Sequence, residues 1–182
     1  MNKIDLIIRK ASKKDVPEML ELVRKYERYD EEYARRYYDK YFARDKAVWE
    51  DTVFVAEVEG RVVGFIGYCN DYFSTDYSYW LGWFVVAKEF RGSKEANVAR
   101  ELLQKVESEL KKYEVSRLFV STDDKNGRAI NFYVKNGFRF EARLRDYYHE
   151  GEDQIILSKW LEWRSDRSVV GPSQTGTGIA NL

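Results

Sequence analysis

The chain has 182 residues, of which 31 are basic and 31 are acidic, so its formal net charge at pH 7 is zero. This length fits a single domain with a sizeable core, and the balanced charge gives no overall field that would attract nucleic acid or an anionic membrane. Because Cys69 is the only cysteine and His149 the only histidine, an intrachain disulfide, a thiolate metal cluster and a paired-histidine zinc motif are excluded.

The amino-terminal segment MNKIDLIIRK becomes charged again too soon for a secretory signal, and no apolar run reaches membrane-spanning length. We therefore expect a cytoplasmic protein with no metal and no nucleic-acid or membrane partner. Charged residues make up 34% of the chain, tyrosine is abundant, and Met and Cys are scarce. This composition is similar to that of thermophile proteins.

The first half of the chain predicts a strand, two helices and a hairpin. Residues 15–18 have the pattern of a capping box with proline in the first helical turn. Glu59 and Gly60 predict a two-residue turn between two apolar strands. The predicted elements are a strand at 6–9, a helix from 16, a charge-rich helix over 31–49, and strands at 52–58 and 61–70.

The second half predicts alternating strands and helices, and hence a mixed α/β sheet with helices on its faces. Residues 79–86 form a nearly continuous apolar run, which predicts a strand buried on both faces. The polar segment DYYHEGED predicts a loop between the last two strands. The remaining predictions are helices from 97 and 126, strands at 117–122, 138–144 and 154–161, and loops at 72–78 and 88–96.

The composition shifts to Ser, Gly, Thr and Pro after Ser165. We therefore expect residues 1–164 to form the domain and residues 165–182 to be a tail outside it. Trp160 and Trp163, near the end of the domain, are predicted either to pack within it or to form an oligomer contact, as in a homodimer.

The segment NGRAINFYVKNGF, residues 126–138, predicts a short helix with a defined start and end. Asn126 can cap the helix by accepting from its first backbone N–H groups, and Gly137 supplies the left-handed residue that ends it. Tyr133 falls on the apolar face of this helix. Taken by itself, the segment favours a packed tyrosine whose hydroxyl reaches water or a carbonyl.

A second candidate site follows the strand WLGWFVVA, where the segment KEFRGSKEANVARELLQ leads into a helix. The N–H groups and the positive dipole at a helix start attract anions. Arg91 and Lys94 add positive charge, and Gly92 allows close approach of the backbone. The alternative for this segment is an ordinary solvated connection.

These two motifs and the order of elements resemble those of the GCN5-related N-acetyltransferases. The family signature Asn…Ala-Ile/Leu-x-Phe/Leu-Tyr-x-Lys/Arg-x-Gly-Phe is matched at every position by residues 126–138. The resemblance covers roughly residues 4–161. It implies a mixed sheet of six to seven strands flanked by about four helices, acetyl-CoA as cosubstrate, and direct acetyl transfer to an amine without a covalent acyl-enzyme.

The resemblance also implies where acetyl-CoA would bind. Phe84 and Val86 would present backbone groups to the pantetheine arm, and Arg91 with Gly92 would open the phosphate loop. The family motif Gln/Arg-x-x-Gly-x-Gly/Ala is altered here, since residues 93–96 lengthen the loop. Its last three positions align with Asn97, Val98 and Ala99, of which only Ala99 keeps a small side chain. Backbone amides can still hold a pyrophosphate, because they do not depend on the side chains.

The resemblance gives Asn126 a contact with the cofactor and Tyr133 the role of general acid, which would protonate the departing thiolate. Many relatives carry a glutamate on the strand equivalent to 79–86 as the general base, and this strand has no carboxylate. Asp76, just before the strand, is our candidate base. Asp71, Glu57 and His149, acting directly or through water, remain open alternatives.

The segment DYYHEGEDQIIL resembles the Tyr-Tyr…Glu-Asp pattern at the peptide entry of protein N-terminal acetyltransferases, including the ribosomal-protein type. It predicts that Tyr147 and Tyr148 border the substrate, and that the substrate is a protein or peptide amine. Abundant aromatic residues between 68 and 84 favour an alternative, a small amine such as a polyamine, because aromatic faces attract ammonium groups. A third alternative is a CoA-binding protein with impaired catalysis.

Overall fold

The computed structural model describes residues 5–26, 31–43, 52–70, 77–92, 97–113 and 115–161. The predicted tail, the end of the helix predicted over 31–49, most of the loop at 72–78 and residues 93–96 lie outside these ranges. The elements are β1 Leu6–Lys10, α1 Val16–Tyr26, α2 Glu31–Ala43, β2 Thr52–Val58, β3 Arg61–Cys69, β4 Ser78–Val86, α3 Val98–Lys111, β5 Arg117–Asp123, α4 Gly127–Lys135, β6 Arg139–His149 and β7 Glu152–Trp160.

The strands form one mixed sheet in the order β1-β2-β3-β4-β5-β7-β6. Neighbouring strands are antiparallel except for β4 and β5, which are parallel. The predicted mixed sheet with flanking helices is therefore confirmed. The predicted hairpin turn is also present, with positive φ angles of 50° at Glu59 and 76° at Gly60, as a two-residue turn between twisted strands requires.

The helices cover both faces of the sheet. Tyr38 of α2 packs against Phe65 of β3, with ring centroids 5.9 Å apart. At the preceding residue, Gly64, an added Cβ would lie 3.3 Å from a methyl group of Leu102 in α3. Because successive residues of a strand point to opposite faces, the sheet has an α2 face and an α3 face. None of the described helices is long and apolar enough to cross a membrane.

The capping box predicted at residues 15–18 is wrong. The Asp15 carboxylate accepts from the backbone N–H of Ser12 at 2.7 Å and pairs with Arg9 of β1. Glu18 accepts from the backbone N–H of Val62 in β3 at 2.8 Å. Asp15 is therefore engaged by residues three and six positions before it, and Glu18 by a strand 44 residues away.

The loop predicted between the last two strands is also wrong, because β6 and β7 continue through it. Only Glu150 and Gly151 separate the two strands, and Tyr147 and Tyr148 lie on β6. Strand β6 forms the edge of the sheet and is exposed along nearly its whole length. Residues 139–144 alternate polar and apolar side chains, in agreement with the strand predicted at 138–144, whereas residues 145–149 lack the apolar alternation that marks a half-buried strand.

Candidate active site

The two parallel strands in the middle of the sheet separate after a short paired stretch. Strands β4 and β5 pair only from Ser78↔Arg117 to Trp80↔Phe119. Beyond that point β5 continues to pair with β7 as far as Asp123↔Gln154. The edge of β4 from Leu81 to Val86 thus faces an opening instead of a neighbouring strand, and its backbone polar groups are available to a ligand.

A bulge in β4 lies at this opening. Ile66 of β3 is opposite Phe84, and Tyr68 is opposite Leu81, so two residues of β4 face the single Gly67 of β3. Such a bulge bends the strand and changes the direction of its side chains. It places Trp83 against Tyr33 of α2, with ring centroids 6.3 Å apart.

Phe84 lies on the other face, where it meets α4. Its ring centroid is 5.6 Å from that of Phe132 and 6.4 Å from that of Tyr133. Because Phe84 is opposite Ile66, two residues from Gly64, this is the α3 face. Two of the predicted site residues, Phe84 and Tyr133, are therefore brought together across the opening.

The local sequence of α4 explains why Tyr133 is held there. The Asn126 side chain accepts from the backbone N–H of Ala129 at 3.2 Å, and Gly137 has a φ of 91°. Both predicted caps are confirmed. Tyr133 is 6% exposed, and its ring also contacts Phe138 at 5.3 Å. Side chains in a helix lean toward its amino terminus, so the ring of Tyr133 is directed toward the end of α4 that begins beside β5.

The connection from β4 to α3 contains the predicted phosphate loop. The Arg91 side chain donates through Nε to the carbonyl oxygen of Val86 at 2.6 Å and so folds back on the end of β4. Gly92 has a φ of 74°, and among the described residues, apart from its chain neighbours, no heavy atom lies within 4 Å of the position a Cβ would take. This glycine therefore offers both the backbone conformation and the open space that close approach of a phosphate needs.

The start of α3 completes the loop. The Asn97 side chain accepts from the backbone N–H of Arg100 at 3.3 Å and caps the helix. The Val98 side chain is fully buried, and Ala99 packs against the core. The two residues could therefore contribute to anion binding only through N–H groups of the first helical turn, which have no acceptor within the helix.

None of the candidate general bases that the structure describes lies at the opening between β4 and β5. Asp76 and Asp71 lie outside the described residues. Glu57 is bound by Arg9, with Nε and a terminal nitrogen at 3.0 and 2.8 Å from its Oε2. That ion pair lies between β1 and β2, two strands away from the opening. His149 ends β6, opposite Glu152, and is exposed.

Sequence reasoning missed a carboxylate at the opening. Asp123 ends β5, is 8% exposed, and has a buried Oδ1 with no hydrogen-bond partner among the described residues. The signal that could have found it is its position at the end of a strand, three residues before the Asn126 cap of α4. Alternation along β5 also places it on the same face as Phe119.

A network of acidic side chains shapes the hairpin of β6 and β7. The Asp153 carboxylate accepts from the backbone N–H of Asp146 at 2.9 Å and from Nε of Arg143. These two interactions, with that N–H first, lower the pKa of Asp153. Its own N–H donates to the Asp124 carboxylate at 3.1 Å. The network fixes the irregular stretch of β6, where the register with β7 shifts between Leu144 and His149, to the end of β5.

The irregular stretch carries the two predicted substrate residues. Tyr147 is 57% exposed, and its ring meets that of Tyr148 edge-on at 5.1 Å. The Tyr148 hydroxyl accepts from the amide nitrogen of Gln154 at 3.2 Å. Tyr148 is thus held against β7 next to the end of β5, and Tyr147 projects outward.

Within the described residues, no group of three or more His, Cys, Asp or Glu side chains is arranged to hold a metal ion. Four aspartates lie at the end of β5 and in the β6–β7 hairpin, namely Asp123, Asp124, Asp146 and Asp153. The carboxylates of the last three are engaged by backbone N–H groups and Arg143.

The sequence profile of the acetyltransferase (GNAT) family matches residues 16–138, more than half of the chain. An N-alpha-acetyltransferase of Sulfurisphaera tokodaii is 29% identical over 126 residues, which are 65% of this chain and 74% of that protein. An uncharacterised N-acetyltransferase of Methanocaldococcus jannaschii is 30% identical over 159 residues, which are 85% of this chain and 91% of that protein.

Solved structures share the fold at lower identity. A GNAT-family protein of Desulfovibrio desulfuricans has a TM-score of 0.77 and 21% identity, and the match covers 86% of this chain and 99% of that one. The ribosomal-protein-S18-alanine N-acetyltransferase of Escherichia coli has a TM-score of 0.69 and 18% identity, and the match covers 89% of this chain and 97% of that one. An aminoglycoside 6′-N-acetyltransferase in complex with coenzyme A has a TM-score of 0.71 and 18% identity, and the match covers 88% of this chain and 99% of that one.

Proposed function

The chain belongs to the acetyltransferase (GNAT) family, whose members use acetyl-CoA, and from this premise we propose that it moves the acetyl group of acetyl-CoA directly to the α-amino group of a protein or peptide. The observation that carries the proposal is the opening between β4 and β5, with Phe84 and Tyr133 in contact across it. Such an opening exposes strand backbone to a ligand while the rest of the sheet stays closed.

The described residues fit acetyl-CoA. The edge of β4 from Leu81 to Val86 can form backbone hydrogen bonds with the amide groups of the pantetheine arm. The Val86 carbonyl already accepts from Arg91, and its second lone pair remains available. The conformation of Gly92 and the start of α3 suit the phosphates, and Asn126, at the start of α4, lies on the other side of the opening.

Tyr133 would act as the general acid. Its ring is buried between Phe84 and Phe138, so the hydroxyl is presented from a fixed side chain. A phenol held beside the leaving sulfur can donate its proton as the C–S bond breaks. A backbone N–H of the bulged part of β4 would stabilise the negative charge on the thioester oxygen.

Two observations favour a protein or peptide substrate. The relative from Sulfurisphaera tokodaii is an N-alpha-acetyltransferase, and the S18-alanine N-acetyltransferase shares the fold. In this chain the hairpin of β6 and β7 holds Tyr148 beside the end of β5 and projects Tyr147 into solvent. An exposed aromatic side chain at the rim of a cleft suits an extended peptide more than a small amine.

A small amine is the second candidate. The α2 face of the opening carries two aromatic pairs, Trp80 with Phe119 at 5.0 Å and Trp83 with Tyr33 at 6.3 Å. Aromatic faces bind ammonium groups without selecting a peptide. The fold shared with an aminoglycoside 6′-N-acetyltransferase agrees with this candidate.

Two measurements test the proposal. Calorimetry with acetyl-CoA should show binding, and its absence would refute every acetyltransferase function. A thiol-release assay should then show turnover with peptides of varied first residue and little with spermidine, kanamycin or free amino acids. Turnover of spermidine alone would favour the second candidate. Binding without turnover of any amine would favour a CoA-binding protein with impaired catalysis.

A further inference from the structure

One carboxylate at the opening has no role in the function described so far. Asp123 is 8% exposed, and its Oδ1 is buried without a hydrogen-bond partner among the described residues. Its backbone carbonyl accepts from the N–H of Asn126 at 3.2 Å, which fixes the residue at the junction of β5 and α4. An ionised carboxylate removed from water is costly unless a positive group or donor faces it. Asp123 therefore sits in a position that favours a cationic ligand.

The side chain of Asp123 lies on the α2 face of the sheet. Phe65, which packs against α2, is four residues from Cys69, and Cys69 is opposite Trp80. Trp80 stacks on Phe119 at 5.0 Å, so Phe119 is on the α2 face as well. The ladder of β5 and β7 is regular, so Asp123, four residues after Phe119, points the same way.

Asp123 and Tyr133 thus border the same opening from opposite faces. Tyr133 belongs to α4 and contacts Phe84 on the α3 face. A thioester that lay in the opening would have Tyr133 on one side and Asp123 on the other. An amine that approached from the α2 face would meet the carboxylate.

Two of the cations near the end of β5 are already paired with other carboxylates. Arg143 binds Asp153 and Asp124, and Lys125 lies 3.7 Å from Glu152. The amide group of Gln154, directly opposite Asp123, donates to the Tyr148 hydroxyl. Among the described residues no ion pair involves Asp123 and its Oδ1 has no hydrogen-bond partner, so a cationic ligand can supply the positive partner.

We propose that Asp123 binds the ammonium group of the incoming amine and accepts its proton; this rests on the acetyl transfer proposed above. The ammonium group gives one proton to the Asp123 carboxylate, and the nitrogen lone pair then forms the new C–N bond at the thioester carbonyl. As the C–S bond breaks, the sulfur takes the Tyr133 proton, and the nitrogen's second proton replaces it. Asp123 releases its proton to water, so the products are an amide, a thiol and one proton.

The test compares two ligands that differ only in charge. L-Alaninamide carries the ammonium group of a peptide N-terminus, and L-lactamide replaces that group with a neutral hydroxyl. In calorimetric titrations of the protein–CoA complex, we expect the wild type to bind L-alaninamide about 30-fold more tightly than L-lactamide. Asp123→Asn should abolish this preference and keep the affinity for CoA within about twofold.

Glu150→Gln is the matched control, because Glu150 is an exposed carboxylate at the turn of the β6–β7 hairpin. It removes one negative charge near the site and should keep the preference for L-alaninamide. A wild type without that preference, or an Asp123→Asn variant that retains it, would overturn the proposal.

Thermal melting separates ligand binding from a structural role. Because the Asp123 Oδ1 is buried without a hydrogen-bond partner among the described residues, the Asp123→Asn variant should melt at the same or a higher temperature. A clear fall in melting temperature would indicate a structural partner for the carboxylate and contradict the proposal. Asp123-dependent binding of L-alaninamide in a protein that acetylates no amine would refute only the proposed function. Wild-type turnover that Asp123→Asn leaves unchanged would refute only the role of Asp123.

Discussion

Replacing Asp15 with asparagine should destabilise the fold at neutral pH and have little effect at acid pH. The carboxylate is 6% exposed and accepts from both terminal nitrogens of Arg9 at 2.8 Å. It also accepts from the N–H and hydroxyl of Ser12. The Arg9 guanidinium, with these further hydrogen bonds, outweighs the effect of burial and lowers the pKa of Asp15 from 3.8 to about 2.

The size of the effect follows from the pKa difference between the unfolded and folded states. At about 1.4 kcal/mol per pKa unit, the difference corresponds to about 2.5 kcal/mol. The Arg9 side chain is 37% exposed, so solvent screens the pair and we expect about 1–2 kcal/mol. Because the folded state has the lower pKa, this stability is present above about pH 4 and is lost as the pH falls toward about 2.

Urea unfolding of the wild type and Asp15→Asn between pH 7 and pH 2 measures this contribution. The difference in free energy of unfolding should be about 1–2 kcal/mol at pH 7 and shrink toward zero at the acid end. Asp39→Asn, at an exposed position of α2, is the control and should change the stability little at any pH. A difference for Asp15→Asn that stayed constant with pH would refute the reasoning, because the effect would then come from packing rather than ionisation.

Three further predictions concern the site and the sheet. Tyr133→Phe should lower kcat, measured by thiol release, by about 10²–10⁴-fold and leave the affinity for acetyl-CoA, measured by calorimetry, nearly unchanged. Tyr113→Phe, at a 62% exposed position, is the control and should have no effect. A kcat of Tyr133→Phe equal to that of the wild type would disprove the acid role. Tyr147→Ala should raise KM about tenfold for a peptide but not for L-alaninamide, and a parallel rise for both would count against the peptide-rim role. Gly64→Ala places a Cβ 3.0 Å from the Val85 carbonyl oxygen and should lower the free energy of unfolding in urea by about 1–3 kcal/mol. Gly127→Ala, in open space at the start of α4, should raise the free energy of unfolding slightly.

Sequence reasoning succeeded where the determinants were local. The caps of α4 are Asn126 and Gly137, which act on backbone groups within a few residues, and both were predicted. The turn at Glu59 and Gly60 depends on the same kind of information. The order of strands and helices was likewise predicted from apolar runs, caps and turn residues that are local in the sequence.

The errors concern interactions between different elements of the fold, which local spacing in the sequence does not show. Asp15 and Glu18 had the spacing of a capping box, but Arg9 and Val62 engage them from neighbouring strands. The bulge in β4 depends on which residues of β3 lie opposite, and a single sequence does not record that register. The burial of Asp123 depends on how the elements around the end of β5 pack together, so its position in the sequence gave only a weak signal.

The opening between β4 and β5 is held by the strands on either side of it. Strand β4 remains paired with β3 as far as Gly64↔Val86, and β5 remains paired with β7 as far as Asp123↔Gln154. Neither strand can move to close the gap without breaking a ladder on its other edge. Phe84, Phe132 and Tyr133 then fill the α3 side of the gap and leave the α2 side to Asp123 and the hairpin tyrosines. Under the proposed function, the sheet sets the place of acetyl transfer, and side chains of the α2 face select the amine.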